Sequence, residues 1–156
     1  ILGIDPGLGR VGWGIIEKKE GHYTALAWGT ITTTPTTTLA ERLDEGIKKI
    51  ERCINRYAPD AIGIEQLFFA KNAKTAMPVA HMRGAILLTA ARHHLPVFEY
   101  TPLQVKQAVT GYGKAEKRQI QIMLRALLKV RIPPSQDDAA DALAIAYTTM
   151  VSQQIL

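Results

Sequence analysis

The sequence predicts an α/β fold, with a mixed sheet of about five strands and helices on both faces. Strand-like and helical segments alternate after an opening hairpin. Because alternating strands and helices need crossover connections, part of the sheet is expected to be parallel, while the hairpin is antiparallel. The length of 156 residues fits a single domain over residues 1–156.

Five segments rich in apolar, β-branched and aromatic residues predict the strands. They are residues 1–5, 11–19, 23–33, 61–65 and 96–100. The Pro6-Gly7 breaker ends the first segment, and Glu20-Gly21-His22 separates the second from the third. The opening of the fold is therefore predicted as a strand followed by a hairpin.

The predicted helices span about 38–58, 75–94, 102–111 and 115–129, and a last helix follows Pro133-Pro134. Thr38 and Glu41 form a T-x-x-E capping box before the first helix. Ser135 and Asp138 match an S-x-x-D box before the last one. Pro78 is expected in the first turn of the second helix, where proline is tolerated.

Positive charge is concentrated after residue 70. Residues 1–66 carry 8 basic and 9 acidic side chains, whereas residues 101–135 carry 7 basic side chains and Glu116 alone. Such clustering is typical of nucleic-acid partners, although a solvated helix face is the simpler explanation. No membrane span or signal peptide is visible, and the single Cys53 suits a reducing cytosol, so we expect a cytoplasmic protein without membrane partners.

Acidic residues stand at the ends of two predicted strands. Asp5 closes the first strand and Glu65 closes the fourth. Either could be an ordinary turn or solvated residue. Sites in open α/β sheets form beyond the carboxyl ends of parallel strands, so the two carboxylates are expected side by side if these strands are neighbours.

The last helix carries three more acids. Asp137 suits the helix dipole, and Asp138 suits the capping box. Asp141 lies a turn beyond the cap among alanines, where an ionised carboxylate is costly unless a cation pairs with it. Asp138 and Asp141 share one helix face. The alanines allow that face to approach the sheet.

Four clustered carboxylates favour a hard divalent cation, Mg²⁺ with Mn²⁺ as a substitute, over Zn²⁺. Two ions about 3.5–4 Å apart activate water and stabilise the leaving oxygen in phosphodiester hydrolysis. An acidic metal site beside a basic surface therefore indicates a nuclease. The G-x-G-x-x-G match at Gly7, Gly9 and Gly12 is rejected as a dinucleotide site because a β-prone segment, not a helix, follows it.

The chain resembles the RuvC family of bacterial Holliday-junction resolvases, within the ribonuclease H-like superfamily. The matching stretches are LGIDPG (2–7), IGIEQLFFAKN (62–72), PVFEYTPLQVKQAVTGYGKAEKRQIQ (96–121) and DAADALAIA (138–146). The resemblance implies a ribonuclease H-like fold and a homodimer that nicks opposed strands of a four-way DNA junction, leaving 5′-phosphate and 3′-hydroxyl ends. It implies a branch-migration helicase complex of the RuvA and RuvB type as a partner. The catalytic, metal-binding acids that it implies are Asp5, Glu65, Asp138 and Asp141.

The resemblance also points to DNA-binding residues. Phe68 matches a junction-contacting position, where an aromatic ring can stack on a base. Lys106 and Lys117 match lysines near the scissile phosphate. Weaker candidates on the adjacent loop and helix are Tyr112, Lys114 and Arg118. Apolar residues on more than one face of 80–91 leave a stripe for a second subunit.

Two other functions remain open from the sequence. One is a related nuclease that acts on RNA–DNA hybrids or structured RNA. The other is a binding module for junctions or RNA that has kept the fold without catalysis. Four intact acids argue against the second, because pure binding does not favour carboxylates beside phosphates.

Overall fold

The computed structural model describes residues 1–67 and 73–153. Its strands are β1 (Leu2–Asp5), β2 (Arg10–Lys19), β3 (His22–Thr32), β4 (Ile62–Glu65) and β5 (Val97–Tyr100). Its α-helices are α1 (Leu39–Tyr57), α2 (Ala73–Arg92), α3 (Pro102–Thr110), α4 (Lys117–Leu128) and α5 (Asp137–Ser152). A short 3₁₀ helix, Pro134–Gln136, precedes α5. None of the helices in the described ranges has the length and hydropathy that a membrane crossing requires.

The strands form one five-stranded sheet in the order β3-β2-β1-β4-β5. Strand β1 is antiparallel to β2 and parallel to β4, and β4 is parallel to β5. The predicted mixed sheet with an opening hairpin is therefore confirmed. Strand β1 is central and lies between the hairpin and the parallel part of the sheet.

Each face of the sheet carries its own apolar core. On one face, Leu2, Ile4, Ile62 and Ile64 pack with residues of α1 and α2 such as Ile50. On the other face, buried residues of α3 and α4 pack with α5. The predicted placement of helices on both faces is thus confirmed.

A row of glycines lies beneath α5. Register pairs Gly3 of β1 with Gly14 of β2 and with Gly63 of β4, so the three glycines cross adjacent strands. A Cβ atom at Gly3 would overlap the backbone of α5 at Ala142 and Ala146. Alternation along a strand puts Leu2 and Ile4 on the opposite face. The sheet therefore has a side-chain-free groove in which α5 lies.

Two local predictions are wrong. Pro78 is the sixth residue of α2, which begins at Ala73, so it lies beyond the first turn of the helix. The predicted capping box of Ser135 and Asp138 does not form. Ser135 lies within the 3₁₀ helix Pro134–Gln136, and α5 begins only at Asp137. The N-cap residue of α5 is therefore Gln136, whose side chain makes no capping hydrogen bond. The box at Thr38 and Glu41, by contrast, is present.

Candidate active site

Asp5 and Glu65 lie at the carboxyl ends of two neighbouring parallel strands. Ile4 pairs with Ile64, and the acids are the next residue along each strand. Because side chains alternate, both acids share the sheet face of Gly3, which is the face covered by α5. The predicted side-by-side placement of the two strand-end acids is therefore confirmed.

Helix α5 brings its own acids to this edge. Where it crosses β1, its contacts are made by the small buried residues Ala142 and Ala146, which lie against Gly3. A Cβ atom at Gly12 of β2 would overlap the carbonyl oxygen of Asp138. Since Gly12 pairs with Asp5 across the sheet, this contact places the first turn of α5 beside the end of β1.

A cleft of about 190 Å³ opens at this edge. Its polar lining consists of Asp5, Glu65, Asp141, Lys106 and Lys117, and its apolar wall includes Ile120 of α4 and Ile145 of α5. Three of the predicted acids and two of the predicted DNA-binding lysines therefore converge. A larger hollow of about 490 Å³ at the far end of the sheet, near Ile1, contains none of the predicted site residues.

Two cations hold the acids of α5. The Nζ atom of Lys117 lies 3.1 Å from Oδ2 of Asp141 and 3.3 Å from Oδ2 of Asp137. Nη2 of Arg10 lies 2.6 Å from Oδ2 of Asp138. That Oδ2 atom is buried, and Arg10 is the cation that neutralises it among the described residues. Sequence reasoning missed Arg10, because only the packing of β2 on α5 brings it to Asp138.

The electrostatics of the cleft raise the pKa of the acids. Burial, reinforced by the charges of Glu65, Asp141 and Asp138, raises the pKa of Asp5 to about 7. Burial and the charge of Asp141 raise the pKa of Glu65. Burial also raises the pKa of Asp141, although Lys117 counteracts it through a hydrogen bond and its charge. The site therefore holds more negative charge than its own cations compensate.

This charge imbalance fits a divalent metal ion. No salt bridge joins Asp5 or Glu65 to any residue in the described ranges. Carboxylate oxygens are the ligands that Mg²⁺ prefers. No three His, Cys, Asp or Glu side chains among residues 1–67 and 73–153 are arranged as a ready-made ion cage. Asp138 and Asp141 are instead turned to Arg10 and Lys117.

The other DNA-binding candidates are spread around the cleft. Lys114 and Arg118 are exposed on the approach to α4 and in its first turn. Tyr112 is exposed and lines a separate shallow crevice with Ile122 and Met123. Phe68 lies outside the described residues. The structure thus groups Lys106 and Lys117 with the acids and leaves Tyr112 away from them.

Comparison with known proteins decides the family. The family model described as crossover junction endodeoxyribonuclease RuvC matches residues 1–149. The chain belongs to the RuvC family. The RuvC protein of Alkaliphilus oremlandii is 51% identical over 146 residues, which are 94% of this chain and 89% of that protein. The prediction of a crossover junction endodeoxyribonuclease is therefore confirmed.

Solved structures agree with the ribonuclease H-like fold of the RuvC family. RuvC from Thermus thermophilus, in complex with a Holliday junction substrate, superposes with a TM-score of 0.91 at 32% identity, covering 99% of this chain and 94% of that one. The yeast mitochondrial Holliday junction resolvase shares the fold, with a TM-score of 0.71 at 18% identity, covering 98% and 78% of the two chains.

Proposed function

We propose that the chain resolves four-way DNA junctions by Mg²⁺-dependent hydrolysis of two opposed strands at the cleft formed by Asp5, Glu65 and Asp141. The observation that carries this proposal is the convergence of these acids with Lys106 and Lys117 at the carboxyl edge of the sheet. Acids alone repel DNA. Lysines beside them give the phosphate backbone a place to bind.

The four predicted acids are the proposed ligands of two Mg²⁺ ions, for which Mn²⁺ substitutes. Asp5 and Glu65 provide oxygens from the sheet, and Asp138 and Asp141 provide them from α5. When bound, the ions supply Lewis-acid activation of a water molecule and charge neutralisation at the leaving oxygen. The close contact between α5 and the glycine row holds the two carboxylates of the sheet and the two of α5 in a fixed relative position.

The lysines position the substrate. Lys106 lies in the first turns of α3 and faces the cleft, where it can bind a phosphate next to the acids. Lys117 opens α4 and bridges Asp137 and Asp141. We assign Lys114, Arg118 and Tyr112 to junction contacts outside the cleft, and Phe68 to base stacking as the family resemblance implies.

We propose a homodimer formed through α2. Its outer face exposes Met77 and Leu88, with exposed fractions of 57% and 54%. Gly84 lies between them, and a Cβ atom there would meet open space. Apolar side chains at helical spacing around a glycine suit close packing of two identical helices. A two-fold dimer duplicates the cleft, and paired clefts match paired cuts in a nearly two-fold junction.

Cleavage of synthetic DNA tests the proposal. Incubation with Mg²⁺ and a mobile four-way junction should give paired nicks with 5′-phosphate and 3′-hydroxyl ends that ligase reseals. Linear duplex and RNA–DNA hybrid are the controls. Cleavage of the hybrid in preference to the junction contradicts the proposal. We further propose that the chain works in the cytoplasm with a branch-migration helicase of the RuvA and RuvB type.

A further inference from the structure

The two acids of α5 are neutralised by cations from different parts of the chain. Lys117 belongs to α4 and is part of the predicted lysine pair. Arg10 is the first residue of β2 and follows the loop that begins after Asp5. Its guanidinium is the positive charge paired with Asp138 in the described residues. Arg10 therefore lies beside the cleft without belonging to the predicted DNA-binding set.

The Arg10 pair is suited to exchange. The Arg10 side chain is 56% exposed, whereas that of Asp138 is 29% exposed. The arginine can therefore swing into solvent without leaving a cavity in the core. The carboxylate cannot follow, because Gly12 holds the backbone of its helix against the sheet. Because more than half of the Arg10 side chain is exposed, solvent already reaches the cation and can replace the carboxylate as its partner.

We propose that Arg10 is the exchangeable counter-ion of Asp138. It neutralises this carboxylate in the metal-free protein, releases it when a divalent cation binds, and then binds a phosphate of the DNA junction. The inference rests on the proposed function, since it takes Asp138 as a metal ligand. It adds a phosphate contact and a competition with metal that neither the motifs nor the lysines imply.

The chemistry of arginine supports the second half of the exchange. A guanidinium pairs with a carboxylate or a phosphate through the same planar set of donors. Once a divalent cation compensates Asp138, Arg10 loses its partner while remaining anchored at the start of β2. The nearest incoming anion of suitable geometry is then a backbone phosphate of DNA drawn to the cleft by Lys106 and Lys117.

Calorimetric titration with Mn²⁺ in the absence of DNA tests the first half. Arg10→Gln should bind Mn²⁺ about twofold to fivefold more tightly than wild type, because the Arg10 guanidinium no longer competes with the metal ion for Asp138. Arg10→Lys should lie between the two proteins. Lys18→Gln, which removes one charge from the far end of the same strand, is the matched control and should bind like wild type.

A double-mutant cycle distinguishes the effect of the Arg10–Asp138 ion pair from the long-range effect of the positive charge of Arg10 on the site. In the Asp138→Asn background, Arg10→Gln should no longer change Mn²⁺ affinity, because the pair is already lost. A gain that persists in this background overturns the proposal. Circular dichroism spectra and thermal unfolding confirm that each variant is folded.

Junction binding at several salt concentrations tests the second half. With Ca²⁺ as a non-hydrolytic hard cation, Arg10→Gln should reduce the slope of log affinity against log salt by about 0.9, the loss of one phosphate contact. In EDTA its slope should equal that of wild type, because Arg10 then stays on Asp138. Equal slopes in Ca²⁺, or the same loss in EDTA, overturn the proposal. Failure of wild type to bind the junction instead counts against the proposed function, while the Mn²⁺ titration is unaffected.

Discussion

Gly12 and Asp138 are in backbone contact, and no side chain could be inserted between them. Gly12 also pairs with Asp5 across β1 and β2. The absence of a side chain at Gly12 therefore lets the start of α5, with Asp138, lie directly beside the end of β1, with Asp5.

Replacing this glycine should damage both stability and the site. We expect Gly12→Ala to lower the free energy of unfolding by about 1–3 kcal/mol, because the new methyl group overpacks the contact. Mn²⁺ affinity should fall as α5 moves outward. Gly9→Ala in the preceding loop is the control, since its Cβ would meet Nη2 of Arg42 at 3.4 Å, an ordinary contact. Urea denaturation measures the free energy of unfolding of the two variants. Equal losses in Gly12→Ala and Gly9→Ala would contradict the role of Gly12.

The helix acids can be distinguished by neutralisation. Asp141→Asn should reduce junction cleavage roughly 10³-fold, since several kcal/mol of metal-derived stabilisation is lost. Junction binding should be retained. Asp137→Asn is the matched control, because Asp137 contacts Lys117 and Gln121 and is not a proposed ligand. It should retain most of the activity. Single-turnover cleavage and fluorescence anisotropy provide the two measurements.

The sequence predicted the parts of the site that depend on local patterns. Strand ends gave Asp5 and Glu65, and the absence of a capping role singled out Asp141. The glycines of the first hairpin were visible in the sequence as well. Their part in a row of glycines across three strands could not be predicted, because that row depends on the register between the strands.

Other features depended on tertiary packing. The pairing of Arg10 with Asp138 requires β2 to pass beneath the start of α5, which no spacing in the sequence encodes. The expected capping box failed because a 3₁₀ turn moved the start of α5 to Asp137. The assignment of the whole chain to one domain stays a prediction.

The raised pKa of Asp5 predicts an unusual pH dependence of stability. Its pKa rises from 3.8 to about 7 in the folded protein, so between these values the folded state holds a proton that the unfolded state has lost. This contribution to stability is fully present below pH 3.8 and is lost as the pH rises through 7. In EDTA, Asp5→Asn should therefore gain stability relative to wild type as the pH increases from 5 to 8.

Denaturant titrations of both proteins across this pH range measure the difference between their free energies of unfolding. The contributions of the other titrating groups cancel in this difference. Added Mn²⁺ should make wild type more stable than Asp5→Asn at pH 8, because the cation compensates the carboxylates. A difference that does not change with pH would show that the environment of Asp5 does not favour its proton.

Thr33 ties the loop after Asp5 to the rest of the fold. Its Oγ1 donates a 2.6 Å hydrogen bond to the carbonyl of Leu8 and accepts one of 3.1 Å from Nε of Arg42. Thr33→Val should cost about 1–3 kcal/mol of unfolding free energy, because it leaves the partly buried carbonyl of Leu8 and Nε of Arg42 without this partner. Thr37→Val is the control, since Thr37 bonds only Thr34 on the exposed part of the same segment. Similar urea midpoints for the two variants would show that the hydrogen bonds of Thr33 do not anchor this loop.

The outer face of α2 predicts a charge-sensitive dimer. Leu88→Glu should convert the protein to a monomer, because a carboxylate cannot be buried unpaired in the proposed interface. Leu103→Glu on α3 is the matched control, since Leu103 is 62% exposed and lies on another face. Light scattering during gel filtration measures the mass of each. A dimer that survives Leu88→Glu and dissociates with Leu103→Glu would move the interface to α3.

The groove beneath α5 has a mechanical consequence. Where one layer rests on another through side chains, rotamer changes can absorb a small displacement. At Gly3 and Gly12 the backbone of the sheet lies directly against the backbone of α5, so α5 and these two strands should respond to a load as one stiff body. A junction that does not fit the paired clefts of the proposed dimer must then be accommodated by deforming the DNA. We therefore expect the flexibility of the nucleotide steps at the cut to influence where the enzyme cleaves.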